Sequence, residues 1–274
     1  MLLNAIVFAD THAHLYAEQF DNDRNLMVER AVHAGVKYLF LPNIDSESIE
    51  PMHALTEQFP ENCFAMMGLH PCHVKPDSHS AEMQKVQDYL FNSVSKYIGV
   101  GEIGLDLYWD KSTFSLQKEA FIQQLEWAKT LHLPVSVHCR DAFNETMECI
   151  EQVQNGTLKG IIHCFGGDTK DAQRVIQAGF LLGIGGVVTF KKSETLREAI
   201  KNISLEHIVL ETDAPYLAPE PYRGKRNESS YIPIIAATIA KTKQCTIAEV
   251  AEQTTDNALR LFKVRTVNLH SIKE

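Results

Sequence analysis

Short apolar runs alternate with amphipathic stretches along the whole 274-residue chain. Each run has the length and the β-branched or aromatic content of a buried strand. In the segment 114–131, Phe114, Phe121, Leu125 and Ala128 lie at offsets of 0, 7, 11 and 14, on one face of a helix. The predicted strands are 6–10, 37–41, 63–68, 97–102, 134–138, 160–164, 180–184 and 207–211.

Eight buried strands, each followed by a segment of helical period, predict a parallel α/β sheet with helical crossovers. Eight is also the strand count of a closed (β/α)8 TIM barrel, and the chain length suits that fold. An open, doubly wound sheet is the alternative. It is disfavoured because no glycine-rich dinucleotide fingerprint follows the first strand. We therefore predict one domain over residues 1–274, a TIM barrel with extra C-terminal helices.

Composition limits the cellular location and the binding partners that we expect for this protein. No apolar run reaches the roughly 18 residues of a membrane span, so we predict no membrane segment. The apolar start, "MLLNAIVFA", has no basic region and no cleavage site, and it is interpreted as the first strand. The six cysteines contain no Cys-x-x-Cys pair, which favours reduced thiols and a cytoplasmic protein. A net charge of −9 argues against a broad basic surface for long duplex nucleic acid.

Two histidines follow the first predicted strand in the stretch "IVFADTHAHL". In an extended chain, residues i and i+2 point to the same side, so His12 and His14 present two imidazoles together. This spacing alone does not separate a metal site from a solvated loop that happens to hold two histidines.

Further metal-type residues follow at the carboxyl ends of other predicted strands, where the sites of TIM barrels lie. Taken singly, each histidine could be a core residue, and each acid could be a paired group or a helix cap. Taken together, buried charged groups without a cation or partner would cost several kcal/mol each. Six donors from five strands therefore predict a metal site, comprising His12, His14, Glu102, His138, His163 and Asp213.

Six donors exceed the three protein ligands of a typical catalytic zinc. They suit two divalent ions about 3.5–4 Å apart that share a carboxylate, and Glu102 is the natural bridge. Asp213 could bind one ion and accept the proton of an attacking water. Imidazole and carboxylate ligands admit zinc, manganese or magnesium.

The same residues carry a family resemblance over essentially the whole chain. The motifs "DTHAHL", "GLHP", "GEIGLD", "VHCRDA", "HCFGG" and "ETDAPYLAP…RGKRNE" resemble those of the TatD-like metal-dependent deoxyribonucleases, a branch of the amidohydrolase superfamily. The resemblance implies a TIM barrel, a binuclear site and hydrolysis of phosphodiester bonds in DNA. It also implies a division of ligands: His12, His14, Glu102 and Asp213 for one ion, and Glu102, His138 and His163 for the other.

The resemblance further implies that His70 of "GLHP" lies close to the site and contacts a substrate phosphate; the alternative is a histidine that anchors its loop. Two stretches depart from the family pattern. The serines of "RNESSYIP" replace a proline and a small residue, and Cys72 and His73 follow "GLHP". Neither stretch contains a predicted ligand, so the departures bear on substrate preference.

A basic segment, residues 221–227 ("PYRGKRN"), follows Asp213. It should form part of the last loop at the carboxyl ends of the barrel strands. Arg223 can clamp phosphate oxygens in bidentate fashion, and Lys225 adds a point charge, unless the segment is simply a solvated loop. Arg140 is either a phosphate contact or a structural ion pair. The predicted substrate-binding residues are thus His70, Arg140, Arg223 and Lys225.

We predict a hydrolase with two divalent metal ions per chain (Zn, Mg or Mn) that acts on DNA single strands or ends as a 3′–5′ exonuclease. A monomer is favoured. The same ligands would also serve an ester or amide hydrolase such as a D-aminoacyl-tRNA deacylase or a lactonase. A non-catalytic, metal-stabilised binding module is the second alternative, disfavoured because a structural site has four closed ligands and no spare base.

Overall fold

Eight parallel strands form one sheet in the order of the sequence, in a computed structural model that describes residues 6–264. Each strand pairs in parallel with the next one, and the strands are buried on both faces, as expected for a parallel sheet covered by helices. The strands are β1 (Phe8–Asp10), β2 (Val36–Pro42), β3 (Cys63–Met67), β4 (Tyr97–Asp106), β5 (Val135–Arg140), β6 (Gly160–Ile162), β7 (Phe180–Ile184) and β8 (Ile208–Leu210).

The sheet closes on itself between β8 and β1. The Thr11 N–H donates to the Leu210 carbonyl at 3.0 Å, and Ala13 forms an isolated parallel bridge with Ala214 just beyond the strand ends. The predicted TIM barrel is therefore confirmed, and the open doubly wound sheet is wrong.

Seven helices connect the strands, and two follow β8 in the described residues. They are α1 (Arg24–His33), α2 (Ile49–Gln58), α3 (His79–Asn92), α4 (Phe114–Leu131), α5 (Phe143–Val153), α6 (Thr169–Gln177), α7 (Glu194–Asn202), α8 (Ile232–Lys243) and α9 (Ile247–Phe262). The bounds of α4 match the prediction, and its residues Phe121, Leu125 and Ala128 are buried. None of the helices between residues 6 and 264 has the length and apolarity that a membrane crossing requires.

Helix α8 completes the eighth strand–helix unit, so α9 is the added C-terminal helix within residues 6–264. A capping box starts α9: the Thr246 hydroxyl accepts from the Glu249 N–H, and the Glu249 carboxylate accepts from the Thr246 N–H. Its last residue, Phe262, packs against Phe40 of β2 with ring centroids 4.9 Å apart.

Alternation along the strands separates two apolar clusters. Phe40 belongs to the cluster that includes Phe262, whereas its neighbours Leu39 and Leu41 belong to the larger cluster that includes the helices. Successive side chains of a strand point to opposite faces, so the smaller cluster fills the barrel interior. Because α9 contributes Ala258 and Phe262 to this interior cluster, it covers the amino-terminal end of the barrel. The carboxyl ends of the strands are left free for chemistry.

Several strand bounds differ from the prediction. β1 begins at Phe8, and residues 1–5 of the predicted first-strand region lie outside the described residues. β4 and β5 run further than predicted because they stay paired as far as Asp106 and Arg140. β6 ends at Ile162, so His163 follows the strand, although it was predicted to lie near the strand end.

Candidate metal centre and substrate cavity

Glu102, in the middle of β4, lies at the centre of the predicted donors. Its Oε2 atom is 3.2 Å from Nε2 of His12 and 3.3 Å from Nε2 of His14. Its Oε1 atom is 2.9 Å from Nδ1 of His138 and 2.9 Å from Nε2 of His163. The two oxygens of one buried carboxylate therefore face two separate pairs of histidines.

Asp213 lies on the Oε2 side of Glu102. Its Oδ1 atom is 3.6 Å from Nε2 of His14 and 3.9 Å from Nε2 of His12. The backbone of Asp213 is left-handed, with φ of +56°, and its N–H donates to the His12 carbonyl at 2.9 Å. Aspartate tolerates this conformation better than most residues, which lets the chain turn its carboxylate towards the histidines after β8.

A hydrogen-bond chain determines which nitrogen of His14 carries the proton. The Tyr16 hydroxyl donates to the Pro42 carbonyl at 2.6 Å and lies 3.0 Å from Nδ1 of His14. Because the hydroxyl proton is committed to Pro42, the Tyr16 oxygen accepts from His14 Nδ1–H. The lone pair on Nε2 of His14 therefore points towards Glu102 and Asp213, as a metal ligand requires.

Asp106 orients His138 in the same way. Its Oδ2 atom lies 3.0 Å from Nε2 of His138, which places Nε2–H against a carboxylate and turns the Nδ1 lone pair towards Glu102. A carboxylate behind a histidine is the usual support of a metal-binding imidazole. His163 has a more distant partner, because its Nδ1 is 3.7 Å from Oε1 of Glu211 and makes no hydrogen bond within the described residues.

This donor set fits divalent cations. Nδ1 of His138 and Nε2 of His163 are only 3.2 Å apart, and two ring lone pairs at that distance need a proton or a cation between them. Burial raises the pKa of Glu102, but interactions with His70, His12 and His163 outweigh burial and hold the pKa well below its usual value. The carboxylate is thus ionised. Three groups could each hold an ion: His12/His163/Asp213, His12/His14/Glu102 and His70/Glu102/His138.

His70 differs from His14 and His138 because it turns an N–H group, and not a lone pair, towards the site. Its Nδ1 accepts from the Cys72 N–H at 3.1 Å, and burial lowers its pKa to about 4. A neutral ring with Nδ1 as acceptor carries its proton on Nε2, which lies 3.4 Å from Oε1 of Glu102. His70 therefore presents an N–H donor at the edge of the site, in contrast to the lone pairs of His14 and His138.

A cavity of about 670 Å³ opens above these residues at the carboxyl ends of the strands. Its lining includes Glu102, the histidines at 14, 70, 138 and 163, Asp213, and also Arg140 and Trp109. A second cavity of similar volume lies among Leu133, Phe180 and Arg260, and it contains none of the predicted site residues.

The predicted substrate contacts divide between this cavity and the surface. Arg140 lines the cavity, but Arg223 and Lys225 are exposed residues outside its lining. The Arg223 guanidinium lies over the Phe190 ring, 4.3 Å from its centroid. Arg226 of the same basic segment has a structural partner: its Nη1 and Nη2 donate to the Asp23 carboxylate at 2.6 and 2.8 Å.

Sequence reasoning missed four residues that support the site: Tyr16, Asp106, Ser136 and Glu211. Asp106 could have been found, because it lies four residues after Glu102 on one strand and side chains two or four apart share a face. Glu211 lies just after β8, two residues before the predicted ligand Asp213, where the chain is no longer a strand. No local pattern marks Tyr16, whose role depends on the Pro42 carbonyl of a neighbouring strand.

Known proteins resemble this chain over most of its length. The YabD protein of Bacillus subtilis (strain 168), named an uncharacterized metal-dependent hydrolase, is 36% identical over 255 residues, covering 93% of this chain and 98% of YabD. The 3′-5′ ssDNA/RNA exonuclease TatD of Yersinia pseudotuberculosis is 30% identical over 260 residues, covering 93% and 99%. The crystal structure of YjjV, a TatD homologue from Escherichia coli K12, superposes with a TM-score of 0.88 at 29% identity, covering 94% and 98%.

The family model for TatD-related DNase matches residues 9–263, which include all six predicted donors. The chain therefore belongs to the TatD-related DNase family and is a metal-dependent hydrolase.

Proposed function

We propose that this hydrolase cleaves phosphodiester bonds of DNA, as a 3′–5′ exonuclease on single strands or strand ends. The observation that supports the proposal most is Glu102, whose two carboxylate oxygens face two different histidine pairs at 2.9–3.3 Å. A carboxylate with donors on both sides suits the paired cations of phosphodiester hydrolysis. The name of the Yersinia relative, a 3′-5′ ssDNA/RNA exonuclease, adds support.

The proposed centre holds two divalent ions, with zinc, manganese and magnesium as candidates. His12, His14, Glu102 and Asp213 would hold the first, and Glu102, His138 and His163 the second. When bound, such a pair of ions lowers the pKa of a water and stabilises charge on the phosphoryl oxygens.

Asp213 acts in this proposal as the acceptor of the proton from the attacking water. Burial raises the pKa of Asp213, but its interactions with His14, His163 and His12 together lower it below its usual value. The carboxylate is thus ionised at neutral pH and able to accept. Its side chain is 16% exposed, compared with 3% for Glu102, which leaves it accessible from the cavity.

Substrate phosphate would be held by groups of the cavity wall. The Nε2–H of neutral His70 is a donor for a phosphoryl oxygen, and Arg140 supplies a positive charge in the lining of the same cavity. Arg223 and Lys225 lie beyond the lining and would meet phosphates further along a strand. Few cations around one cavity favour a short stretch of single strand over a long duplex on a protein of net charge −9.

The decisive experiment follows cleavage of a 5′-labelled single-stranded oligonucleotide by chelated protein supplied with magnesium, manganese or zinc. The wild type should produce a ladder that shortens from the 3′ end. Glu102→Gln should abolish it and lower the number of bound ions per chain, whereas Glu29→Gln, at an exposed position of α1, should cleave normally.

The same preparation should be assayed on a D-aminoacyl-tRNA and on a panel of lactones. A protein that binds two ions, leaves DNA intact and hydrolyses one of these substrates would contradict the proposal. Carbonyl hydrolysis would then be the activity, because the same ligands serve both reactions.

A further inference from the structure

Two large aromatic side chains lie exposed on the loop between β4 and α4. Trp109 is 68% exposed and Tyr108 is 54% exposed, the former on the lining of the substrate cavity. An isolated exposed apolar residue is ordinary, but a tryptophan and a tyrosine together at the mouth of a cavity mark a binding surface.

The Arg140 guanidinium contacts both of these rings. Its Cζ atom lies 3.9 Å from the centroid of Tyr108 and 5.4 Å from that of Trp109. The two rings are perpendicular, at 86°, with centroids 5.0 Å apart. The guanidinium is thus held by cation–π contact with Tyr108 and partly by Trp109, so that a positive charge and an open indole face lie side by side.

Asp106 connects the loop that carries Tyr108 and Trp109 to the candidate metal centre. Its Oδ1 atom accepts the backbone N–H groups of Tyr108 and Trp109, each at 2.9 Å. Its Oδ2 atom lies 3.0 Å from Nε2 of His138. One carboxylate therefore fixes both the loop that carries the indole and the histidine that faces Glu102, so the aromatic surface is positioned relative to the candidate metal centre.

We propose that the indole of Trp109 is the stacking surface for an unpaired nucleobase of the strand whose phosphodiester bond lies at Glu102. The inference rests on the proposed function and specifies its substrate: a strand whose last bases are free. A base within a duplex has both faces covered by its neighbours and cannot stack on the indole, whereas every unpaired base offers a π-face. Recognition of this kind tolerates any sequence.

Binding can be measured without cleavage. The chain has two tryptophans, and Trp127 in α4 is only 7% exposed, so Trp109 supplies the solvent-exposed emission. Single-stranded oligonucleotide added to chelated protein should quench the wild-type emission, and Trp109→Phe should remove most of that quenching. Fully base-paired duplex should quench much less.

Cleavage tests the stacking partner directly. Trp109→Ala should lower kcat/KM on single-stranded DNA about tenfold, in the range of one lost base stack. Trp109→Phe should restore most of the rate. On oligonucleotides with an abasic site at each of the last three nucleotides in turn, one position should make wild type and Trp109→Ala equally slow. Leu26→Ala, also exposed but on α1, is the matched control.

The outcomes separate this inference from the nuclease proposal. Normal DNA cleavage by Trp109→Ala, together with unquenched emission, would overturn the stacking role and leave the nuclease intact. No cleavage of DNA by the wild type would reject the nuclease, and the quenching titration would still decide whether single strands stack on Trp109.

Discussion

The Oδ2 atom of Asp106 lies 3.0 Å from Nε2 of His138, on the opposite edge of the ring from the Nδ1 atom that lies 2.9 Å from Glu102. The imidazole is thus held between two carboxylates of a single strand. One orients it, and the other shares its candidate cation. The pKa of Asp106 falls to about 2, because the hydrogen bond with His138 and two backbone N–H bonds outweigh the effect of burial.

Asp106→Asn should weaken metal binding and cleavage by about 10- to 100-fold. The amide oxygen can keep the N–H bonds to Tyr108 and Trp109, but its NH2 group cannot accept from Nε2–H of His138. Metal content by calorimetric titration and kcat/KM on single-stranded DNA check the prediction. Asp110→Asn is the control, since Asp110 bonds Ser112 and does not touch His138. Equal behaviour of the two variants would contradict the assigned role of Asp106.

Asp213→Asn should reduce kcat by about 10²- to 10⁴-fold, the usual contribution of a general base, with little change in DNA binding. Asparagine tolerates the left-handed backbone at φ of +56°, so the turn should persist. Asp141→Asn provides the control, because Asp141 has a similar φ of +53°. Single-turnover kinetics with bound-metal analysis measure the effect. A variant with metal bound and kcat near that of the wild type would show that Asp213 is not the base.

Binding of single-stranded DNA should depend weakly on salt. Each phosphate contact on a single strand contributes a slope of about 0.7 in log Kd against log salt, and only a few contacts are expected here. A slope equivalent to about eight contacts or more would contradict the small binding cavity.

The paired change Arg223→Gln/Lys225→Gln should lower that slope by about 0.7 for each side chain that contacts a phosphate. Lys85→Gln/Lys201→Gln removes the same charge at exposed positions of α3 and α7 and should leave the slope unchanged. Anisotropy titrations of chelated protein at several salt concentrations measure both. An identical slope in the two paired variants would place Arg223 and Lys225 away from the DNA.

Arg30 and Glu228 form a bidentate ion pair between α1 and the segment before α8, at 3.0 and 2.6 Å. Burial raises the pKa of Glu228, but the bonds with Arg30 and Ser230 and the charges of Arg30 and Arg226 together lower it below its usual value of 4.5. A lowered folded pKa gives stability that is present above the unfolded pKa and is lost as the pH falls through the folded pKa.

Glu228→Gln should therefore lower the free energy of unfolding by about 1 kcal/mol at pH 7, less than for a buried pair because Arg30 is 41% exposed. The difference from the wild type should shrink below pH 4.5. Urea unfolding at a series of pH values measures it. Glu198→Gln, from an exposed pair with Lys201 at 3.9 Å, should change stability by less than about 0.5 kcal/mol at any pH.

Phe262→Ala should destabilise the barrel by about 3–5 kcal/mol, because it leaves a cavity beside Phe40 in the interior cluster. Cleavage per folded molecule should not change, since Phe262 belongs to a cluster that includes none of the metal-type residues. Denaturant unfolding compares it with Leu26→Ala, at a 57% exposed position, for which we expect about 0.5 kcal/mol or less. A loss as small as that of Leu26→Ala would show that α9 does not seal the barrel.

The local pattern of the sequence predicted the strands, the helix over 114–131 and the barrel, because burial and periodicity are properties of adjacent residues. The same pattern placed His12 and Asp213 just beyond strands, and a closed parallel barrel brings such ends together. It placed Glu102 at the end of β4, whereas Glu102 lies in the middle of that strand. Strand ends were less accurate: β4 extends to Asp106 only because β5 continues beside it.

Which way each imidazole presents its lone pair was decided by the tertiary structure alone. His14 depends on Tyr16 and the Pro42 carbonyl, and His138 depends on Asp106. The fold also decides the partners of the arginines: Arg226 pairs with the Asp23 carboxylate, whereas Arg140 lies over the Tyr108 ring. The sequence does not show which arginine has which partner. A side chain's identity sets which bonds it can make, whereas its partner depends on strand register and loop conformation, which arise only when distant segments pack together.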